Sequence, residues 1–317
     1  MSERYLVLTG GVGGAKLCVG LAALLAPDAV CFAVNVGDDF EHLGLQICPD
    51  LDTLTYALAG LTNPETGWGR VGESWNFLES VAALGGEAWF RLGDRDLALH
   101  VLRTARRRAG SSLTEVTAGI CAALGVSHYP MPVSDDPIRT QIHTADGVLA
   151  FQHYFVRERC APAVTGFAFA GADTARLNPQ ITDCLAAPDL AGVIIAPSNP
   201  YVSIDPILAI PDLRERLCAI AVPVVGICPV VGGMALKGPT TKMMEELGVP
   251  QTAVAVAAHY ADVLDGWVVD PADAASISVL EASGIAAIAT PSVMLTWDDK
   301  VSLAQATLSF IRELRAA

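Results

Sequence analysis

The feature that most constrains the fold is a regular alternation of short apolar runs with helical segments along the chain. Residues 5–9 form a strand-like run that ends in the glycine-rich segment 10–14, and residues 15–25 then show helical spacing of apolar side chains. A second strand-like run at residues 29–35 is followed by a polar loop and by a helix that opens near Pro49. This βαβα order predicts parallel strands, because parallel neighbours need a crossover connection.

The same alternation returns in the second half of the chain. Further strand-like runs lie at residues 164–170, 192–196, 222–228 and 267–269, with helical segments that include residues 212–218 and 272–283. We therefore predict an α/β fold with a doubly wound, mostly parallel Rossmann-like sheet. Ligands of such sheets bind at the carboxyl ends of the strands, so the loops at those ends carry the candidate functional residues.

Residues from about 61 to 125 depart from this alternation. They carry amphipathic helical stretches at residues 74–84, 96–107 and 112–124 without a convincing buried strand, which predicts a helical insertion over one end of the sheet. Hydrophobic residues make up 52% of the sequence, enough for a large core, and no linker or low-complexity segment interrupts it. We expect residues 1–317 to form a single α/β domain.

The acidic composition argues against nucleic-acid and membrane partners. The formal net charge of −14 repels a phosphate backbone and anionic lipids, and the basic run 106–108 is expected to be a solvated helix end. We expect a cytoplasmic protein, because the start of the chain lacks the layout of a signal peptide and prolines and glycines interrupt the uncharged stretch 219–236. The eight cysteines include no CxxC pair and are expected to be reduced and buried. A homodimer is compatible with such a chain.

The glycine-rich segment 10–14 lies between a strand and a helix, where backbone N–H groups and the helix dipole attract phosphate. Lys16 adds a cation one turn into the helix. The segment departs from a Walker A loop at Ala15 and Leu17, and from the Rossmann fingerprint at Lys16. A tight glycine turn without a ligand is the alternative interpretation.

Four carboxylates follow the second predicted strand within a short region: Asp38, Asp39, Asp50 and Asp52. Hard oxygen ligands of this kind suit Mg²⁺, which often neutralises a diphosphate during phosphoryl transfer. Asp50 has an alternative role as the cap of a helix beginning at Leu51. Two further acidic clusters, at residues 93–96 and 134–137, are candidates for the same site or for turns and helix caps.

Two loops in the second half of the chain are candidates for ligand contact. Pro197, Ser198, Asn199 and Pro200 hold a hydroxyl and an amide at a strand end, and residues 232–239 form a second glycine loop with a lysine. The histidines show no HxH or HxxxH pair, which argues against a zinc site, and no G-x-S-x-G elbow is present. The residues by themselves indicate a magnesium-dependent protein that binds a phosphorylated nucleotide.

The order of these loops resembles the 2-phospho-L-lactate transferases of coenzyme F-420 synthesis. The resemblance runs from about Leu6 to the C-terminal helix and rests on these segments: GGVGGAKL at residues 10–17, PDLDT at 49–53, LGDRD at 92–96, PVSDDP at 132–137 and PSNP at 197–200. In that family a phosphorylated three-carbon acid is transferred from its guanosine diphosphate-linked donor to the deazaflavin 7,8-didemethyl-8-hydroxy-5-deazariboflavin, and GMP is released. The acid is phospholactyl, phosphoenolpyruvyl or phosphoglyceryl in different lineages, and no residue here decides among them.

The resemblance also implies roles for individual residues. Asp52 and Arg95 occupy the positions that contact the deazaflavin. The donor nucleotide would be held by the glycine segment and the 198–199 turn: Gly10, Gly11, Gly13, Gly14, Lys16, Ser198 and Asn199. Mg²⁺ would be held by aspartates, for which the candidates are Asp38, Asp39, Asp50 and Asp135.

The implied reaction is an in-line displacement. The terminal ribityl hydroxyl of the deazaflavin attacks the phosphorus that bears the acid, and GMP departs with its charge offset by Mg²⁺ and Lys16. Asp52 or Asp50 is the candidate to accept the hydroxyl proton. The competing class is a non-catalytic nucleotide-sugar-binding regulator with a similar α/β core, against which Asp52 and the segment 93–96 argue.

Overall fold

The computed structural model describes residues 3–235 and 238–317. The strands are β1 (Arg4–Thr9), β2 (Val30–Val34), β3 (Phe40–His42), β4 (Leu45–Ile47), β5 (Pro130–Pro132), β6 (Arg139–Thr144), β7 (Gly147–Ala150), β8 (Val164–Ala170), β9 (Leu190–Ile195), β10 (Val224–Ile227), β11 (Val230–Val231), β12 (Met234–Ala235), β13 (Gly266–Val269) and β14 (Ala286–Ala289). The α-helices are α1 (Gly11–Leu24), α2 (Pro49–Leu58), α3 (Asn76–Ala83), α4 (Asp94–Arg108), α5 (Leu113–Ala123), α6 (Pro179–Leu185), α7 (Asp205–Leu208), α8 (Leu213–Cys218), α9 (Thr240–Glu246), α10 (Ala253–His259), α11 (Ile277–Ala282) and α12 (Trp297–Ala316).

The main sheet has seven parallel strands in the order β14-β13-β10-β9-β1-β2-β5. This confirms the predicted doubly wound parallel sheet. The chain leaves β1 toward β2 and β5, and later returns on the other side of β1 through β9 and β10. The direction of winding therefore reverses between β1 and β9, which is where such sheets form a crevice for ligands.

The central strands are buried on both faces, as their apolar runs predict. Every residue of β2 and β9 is buried, and so is every residue of β1 after Arg4. Helix α1 packs closely against α12, where a Cβ at Gly20 would lie only 2.1 Å from the carbonyl oxygen of Lys300. The sheet is thus a rigid platform whose carboxyl edge positions the loops that follow it.

Several strand assignments differ from the sequence prediction. The run 164–170 is a strand, but it belongs to the separate antiparallel sheet β7-β6-β8, and most of its residues are only partly buried. A short apolar run does not by itself tell which sheet a strand joins. In the main sheet, strands β5 and β14 were not predicted, because β5 contains two prolines, which only an edge strand tolerates, and β14 is mostly alanine.

The region predicted as a helical insertion contains α3, α4 and α5, close to the three predicted helical stretches. In the sequence, this region lies between α2 and the edge strand β5. Part of it packs on α2 through a small apolar cluster that is separate from the main core and consists of Tyr56, Leu99, Val116 and Ile120. The single-domain assignment stays a prediction.

The eight cysteines are unpaired, as predicted, although Cys160 is only half-buried and Cys218 is exposed. None of the helices in residues 3–235 and 238–317 combines the length and apolarity needed to cross a bilayer.

Candidate active site

A cavity of about 840 Å³ opens at the carboxyl edge of the main sheet. Its walls include residues that follow β1, β2, β9 and β10, so the cavity occupies the crevice where the winding direction reverses. We give the name sheet wall to the lining residues that follow β1, β2 and β9 or begin α1 and α2: Gly10, Gly11, Gly13, Lys16, Asp38, Asp50, Ser198 and Asn199. We give the name aromatic wall to the lining residues that carry aromatic rings, with their polar neighbours: Asp52, Tyr56, Trp68, Trp89, Phe90, Asp96, His100, Phe151 and Phe155.

The glycine segment is less of a loop than the sequence predicted. Helix α1 begins at Gly11, which has a left-handed φ of 66°, and Gly13 is already in its first turn. A Cβ at Gly13 would lie 2.4 Å from the carbonyl oxygen of Pro197, so only glycine allows the helix to approach the end of β9. The segment therefore brings a helix N-terminus to the cavity, where an anion is favoured.

Ser198 links the end of β9 to the glycine turn through two hydrogen bonds. Its hydroxyl donates to the carbonyl oxygen of Gly10 at 2.7 Å and accepts from the Gly10 N–H at 3.2 Å. Gly14 packs against the hydroxyls of Thr9 and Ser198 and is not among the described wall residues. Asn199 caps the following helical turn, since its Oδ1 accepts from the N–H of Tyr201 at 3.0 Å. Both polar side chains of this turn thus have structural partners beside the cavity.

Lys16 contributes a positive charge to the sheet wall. It lies on α1 one turn after the glycine turn, and its Nζ donates to the carbonyl oxygen of Met294 at 2.6 Å. Because Met294 also lines the cavity, this bond holds the ammonium group at the wall. The predicted proximity of Lys16 to the glycine turn is present.

Asp38 and Asp50 form a buried acidic pair that Asn35 bridges. The Asn35 amide donates to Asp38 Oδ1 at 3.1 Å and to Asp50 Oδ2 at 2.9 Å, and the Gly11 N–H donates to Asp50 Oδ1 at 2.7 Å. Burial raises the pKa of Asp50 to about 6. Burial, reinforced by the charge of Asp50, raises the pKa of Asp38 well above its usual range. The pair is therefore short of positive charge.

The alternative of Asp50 as a helix cap is wrong. Helix α2 begins at Pro49 with Cys48 at its N-cap, so Asp50 lies inside the first turn. Its carboxylate accepts hydrogen bonds from Gly11 and Asn35, which belong to the loops after β1 and β2. Asp50 thus connects three elements at the sheet edge.

The acidic pair fits a divalent cation that completes its shell with other oxygens. Mg²⁺ commonly binds through one or two protein carboxylates, with substrate phosphates and water as the remaining ligands. The described residues contain no group of three or more His, Cys, Asp or Glu side chains arranged to hold a metal. Asp39 is buried next to the pair but does not line the cavity in the described residues, and its Oδ1 has no hydrogen-bond partner there.

The two other acidic clusters mainly cap helices. Asp135 accepts from the N–H and the hydroxyl of Thr114 at 2.7 and 3.0 Å, at the start of α5. Asp94 accepts from the N–H groups of Asn76 and Phe77 at the start of α3. The structure does not bring Asp135 to the cavity, so its metal-binding assignment gains no support.

Asp52 belongs to a buried ion pair that the sequence analysis missed. Both of its carboxylate oxygens accept from the guanidinium of Arg103 on α4, and Nη1 lies 3.0 Å from Oδ2. Asp52 and Arg103 are 6% and 1% exposed. Each residue of a helix is rotated by about 100° from the one before it, so residues two apart differ by about 200°. Asp50 and Asp52 therefore project from opposite sides of α2, toward the two walls.

The aromatic wall also contains a polar network on α2 and α4. The hydroxyl of Tyr56 donates to Asp96 Oδ1 at 2.6 Å, and His100 Nε2 lies 3.3 Å from the same oxygen. Asp96, His100 and Arg103 follow an i, i+4, i+7 spacing, which places them on one face of α4. This spacing was the sequence signal that could have identified His100 and Arg103.

Arg95 does not take part in this network. It is exposed, its backbone N–H donates to Glu73, and its guanidinium lies beside Gly72 and outside the described cavity walls. Its predicted contact with a ligand stays a prediction.

Aromatic rings form the rest of the aromatic wall and were not predicted. Trp89 contacts Phe90 and His153, with ring centroids 5.8 and 4.9 Å apart, and Phe151 stacks on Phe155 at 5.4 Å. These residues come from loops and from a short π-helical turn, where sequence periodicity carries little signal. The rings offer flat apolar surface beside the network of Asp52 and Asp96.

The second glycine loop, predicted at residues 232–239, reaches the cavity through Gly238 and Pro239, and Thr240 at the start of α9 also lines it. Its lysine, Lys237, and the neighbouring Leu236 lie outside the described residues.

Comparisons with known proteins identify the family of the chain. A family model described as 2-phospho-L-lactate transferase CofD matches residues 6–291. The phosphoenolpyruvate transferase of Kitasatospora aureofaciens is 39% identical over 319 residues, covering 98% of this chain and 99% of that protein. The phosphoenolpyruvate transferase of Streptomyces griseus subsp. griseus is 40% identical over 320 residues, covering 99% and 100%.

Solved structures support the fold. Protein BH3568 from Bacillus halodurans superposes with a TM-score of 0.64 at 16% identity, covering 97% of this chain and all of that chain. A second crystal structure of BH3568, described as a member of the UPF0052 family, gives a TM-score of 0.61. The near full-length family match and the relatives of about 40% identity show that the chain belongs to the 2-phospho-L-lactate transferase family.

Proposed function

We propose that this transferase moves a phosphoenolpyruvyl group from a guanosine diphosphate-linked donor to the deazaflavin 7,8-didemethyl-8-hydroxy-5-deazariboflavin, in coenzyme F-420 biosynthesis. The observation that carries the proposal is one cavity with two chemically different walls, joined by α2. The choice of phosphoenolpyruvate among the three-carbon acids rests on the names of the relatives that are similar over nearly their full length.

The sheet wall suits the donor. The N-terminus of α1 and the ammonium of Lys16 attract a diphosphate, and the glycines let it approach the backbone closely. Asp38 and Asp50 would hold Mg²⁺, which would offset the charge of the diphosphate. The helix N-terminus lies close to the acidic pair, which supports this placement. A diphosphate bound at the helix N-terminus would lie near the pair, and a cation between the two would neutralise the charge of both.

The aromatic wall suits the acceptor. A deazaflavin is a planar heterocycle, and the rings of Trp89, Phe90 and Phe155 provide flat apolar surface of matching character. Asp52 and the network of Tyr56 and Asp96 offer hydrogen-bonding groups beside those rings. The cavity volume of about 840 Å³ lies near the upper end of the range usual for ligand sites, as a site for two substrates requires.

The reaction follows from this placement. The terminal ribityl oxygen forms a bond to the phosphorus that bears the acid, and the bond from that phosphorus to the bridging diphosphate oxygen breaks, so GMP leaves with the electron pair. The hydroxyl proton passes to solvent, because the loose transition state of phosphoryl transfer requires no strong base. The product is a phosphodiester.

The test is a reconstitution with defined substrates. Purified protein is incubated with Mg²⁺, the deazaflavin and one of three donors, which carry phosphoenolpyruvate, 2-phospho-L-lactate or 3-phosphoglycerate, and GMP and the phosphodiester are quantified by mass spectrometry. We expect the phosphoenolpyruvate donor to give the highest kcat/KM. The Asp50→Asn variant should lose most turnover, whereas Asp183→Asn, which changes an exposed carboxylate on α6, should not. Absence of GMP release with all three donors would refute the proposal.

A further inference from the structure

The ion pair behind the aromatic wall holds Asp52 in one orientation. Asp52 lines the cavity, and Arg103 lies behind it, with both guanidinium Nη atoms on the two carboxylate oxygens. A two-point contact of this kind fixes the plane of the carboxylate as well as its position. The reaction described above makes no use of Arg103.

Arg103 is itself fixed from several sides. Its Nη1 lies 3.4 Å from the carbonyl oxygen of Gln46 and 3.2 Å from His100 Nδ1. His100 is 1% exposed and lies between Asp52 and Asp96, with ring nitrogens 3.7 and 3.3 Å from their carboxylate oxygens. The guanidinium therefore has little freedom to release Asp52.

The ion pair with Arg103 leaves the Asp52 carboxylate able to accept further hydrogen bonds. Each carboxylate oxygen can accept more than one hydrogen bond, and the bonds to Arg103 use only part of that capacity. The side that faces the cavity can accept a hydrogen bond from a ligand hydroxyl or ring N–H, whose direction the ion pair then dictates.

We infer that Arg103 is a positioning residue for the acceptor substrate. It holds the Asp52 carboxylate at the aromatic wall so that a hydrogen-bond donor of the acceptor is aligned for attack on the donor phosphorus. The inference rests on the proposed function, since it takes the aromatic wall to be the acceptor side. Small errors in the placement of a reacting group lower rates strongly, so the expected effect is large.

The alternative is an ion pair that only joins α2 to α4. Both roles predict that removal of Arg103 alone is harmful, since an unpaired buried carboxylate is left behind. The two roles predict different effects for substitutions that keep α2 and α4 joined. Arg103→Lys keeps the positive charge but loses the two-point contact, and the double variant Asp52→Asn/Arg103→Gln removes both charges together.

The experiment measures substrate binding, kinetics and melting temperature of these two variants. For Arg103→Lys we expect kcat/KM for the deazaflavin to fall roughly 30-fold, with the donor KM within about twofold of the wild-type value. The double variant should melt near the wild-type temperature and still bind the deazaflavin roughly 30-fold more weakly in a direct titration. Arg107→Lys is the matched control on the same helix, and its kinetics should be unchanged.

The outcomes separate the two claims. If wild-type protein neither binds the deazaflavin nor releases GMP, the proposed function fails, whatever the variants do. If wild-type protein is active but Arg103→Lys keeps the wild-type kcat/KM for the deazaflavin, the positioning role is wrong. Recovery of both melting temperature and deazaflavin affinity in the double variant would likewise show that the ion pair only joins the helices.

Discussion

On the sheet wall, the glycine segment, Asp38 and the 198–199 turn follow strands that are hydrogen-bonded to neighbours on both sides. The functional groups of the aromatic wall lie on helices and connections outside the main sheet. Asp50 and Asp52 show the contrast within one turn of α2. Among the described residues, Asp50 accepts from the neutral groups of Gly11 and Asn35, and Asp52 has a guanidinium as its partner. The described hydrogen bonds to the acidic pair thus come from neutral groups, whereas Asp52 on the aromatic wall is already paired with a cation.

The difference in charge balance indicates different tasks. A wall whose buried carboxylates accept hydrogen bonds from neutral groups is suited to recruit a cation together with an anionic ligand. A wall whose carboxylate is already neutralised gains little from a metal and is better suited to orienting an uncharged ring system. The predictions below test this division of labour between the two walls.

The largest effect is expected from removal of divalent cations. EDTA should lower turnover roughly 1000-fold or more, because the charge of the diphosphate and of the acidic pair would then be uncompensated, and added Mg²⁺ should restore it. Deazaflavin binding, measured by fluorescence titration in the same buffer, should change little. Full turnover in metal-free buffer would contradict the assignment of Asp38 and Asp50.

The second effect concerns stability against pH. Burial raises the pKa of Asp39 to about 7, an effect that the charge of Arg139 opposes. The folded state therefore favours the protonated form of Asp39. The contribution of Asp39 to the free energy of unfolding is fully present below about pH 4 and is lost as the pH rises to 7. Asp39→Asn should remove about 3 to 4 kcal/mol of that decline between pH 4 and pH 8 in the free energy of unfolding.

Urea titrations of wild type, Asp39→Asn and the exposed control Asp183→Asn at several pH values provide the measurement.

Asp96 on the aromatic wall should show the opposite dependence of stability on pH. Burial raises the pKa of Asp96, but its hydrogen bond to His100 and the charge of that ring outweigh burial and lower the pKa below its usual value. Its contribution is lost only as the pH falls below about 4. An Asp39→Asn variant with the wild-type pH dependence would show that the buried carboxylate is not destabilising.

The contrast between the walls also explains what the sequence could predict. The sheet wall follows buried apolar strands, so the glycine segment, Lys16, Asp38 and Asp50 could be placed at one edge from periodicity alone. The partners of the aromatic wall lie on α4 and in loops, and their proximity depends on tertiary packing. Arg103 was hidden because its long side chain folds inward from a helix with an otherwise charged surface.

The third effect tests the donor side. Lys16→Ala should raise the donor KM about 10-fold, since the ammonium is expected to offset phosphate charge, and should leave the deazaflavin affinity nearly unchanged. Lys300→Ala is the matched control, because Lys300 lies on α12, which packs against α1, outside the described cavity walls. Loss of deazaflavin binding with an unchanged donor KM would reverse the assignment of the two walls.

The smallest effect tests the rings of the aromatic wall. Trp89→Leu keeps an apolar side chain but removes the flat surface and the edge contacts to Phe90 and His153, so stacking on the acceptor should weaken. Ring contacts of this kind contribute about 0.5 to 1.5 kcal/mol each, which corresponds to a rise in the deazaflavin KM of about 5-fold. Trp297→Leu makes the same change at an exposed ring outside the described cavity walls and should have no effect. A larger rise in the donor KM than in the deazaflavin KM for Trp89→Leu would mean that the rings stack on the guanine base, and the acceptor would then have to bind closer to the sheet.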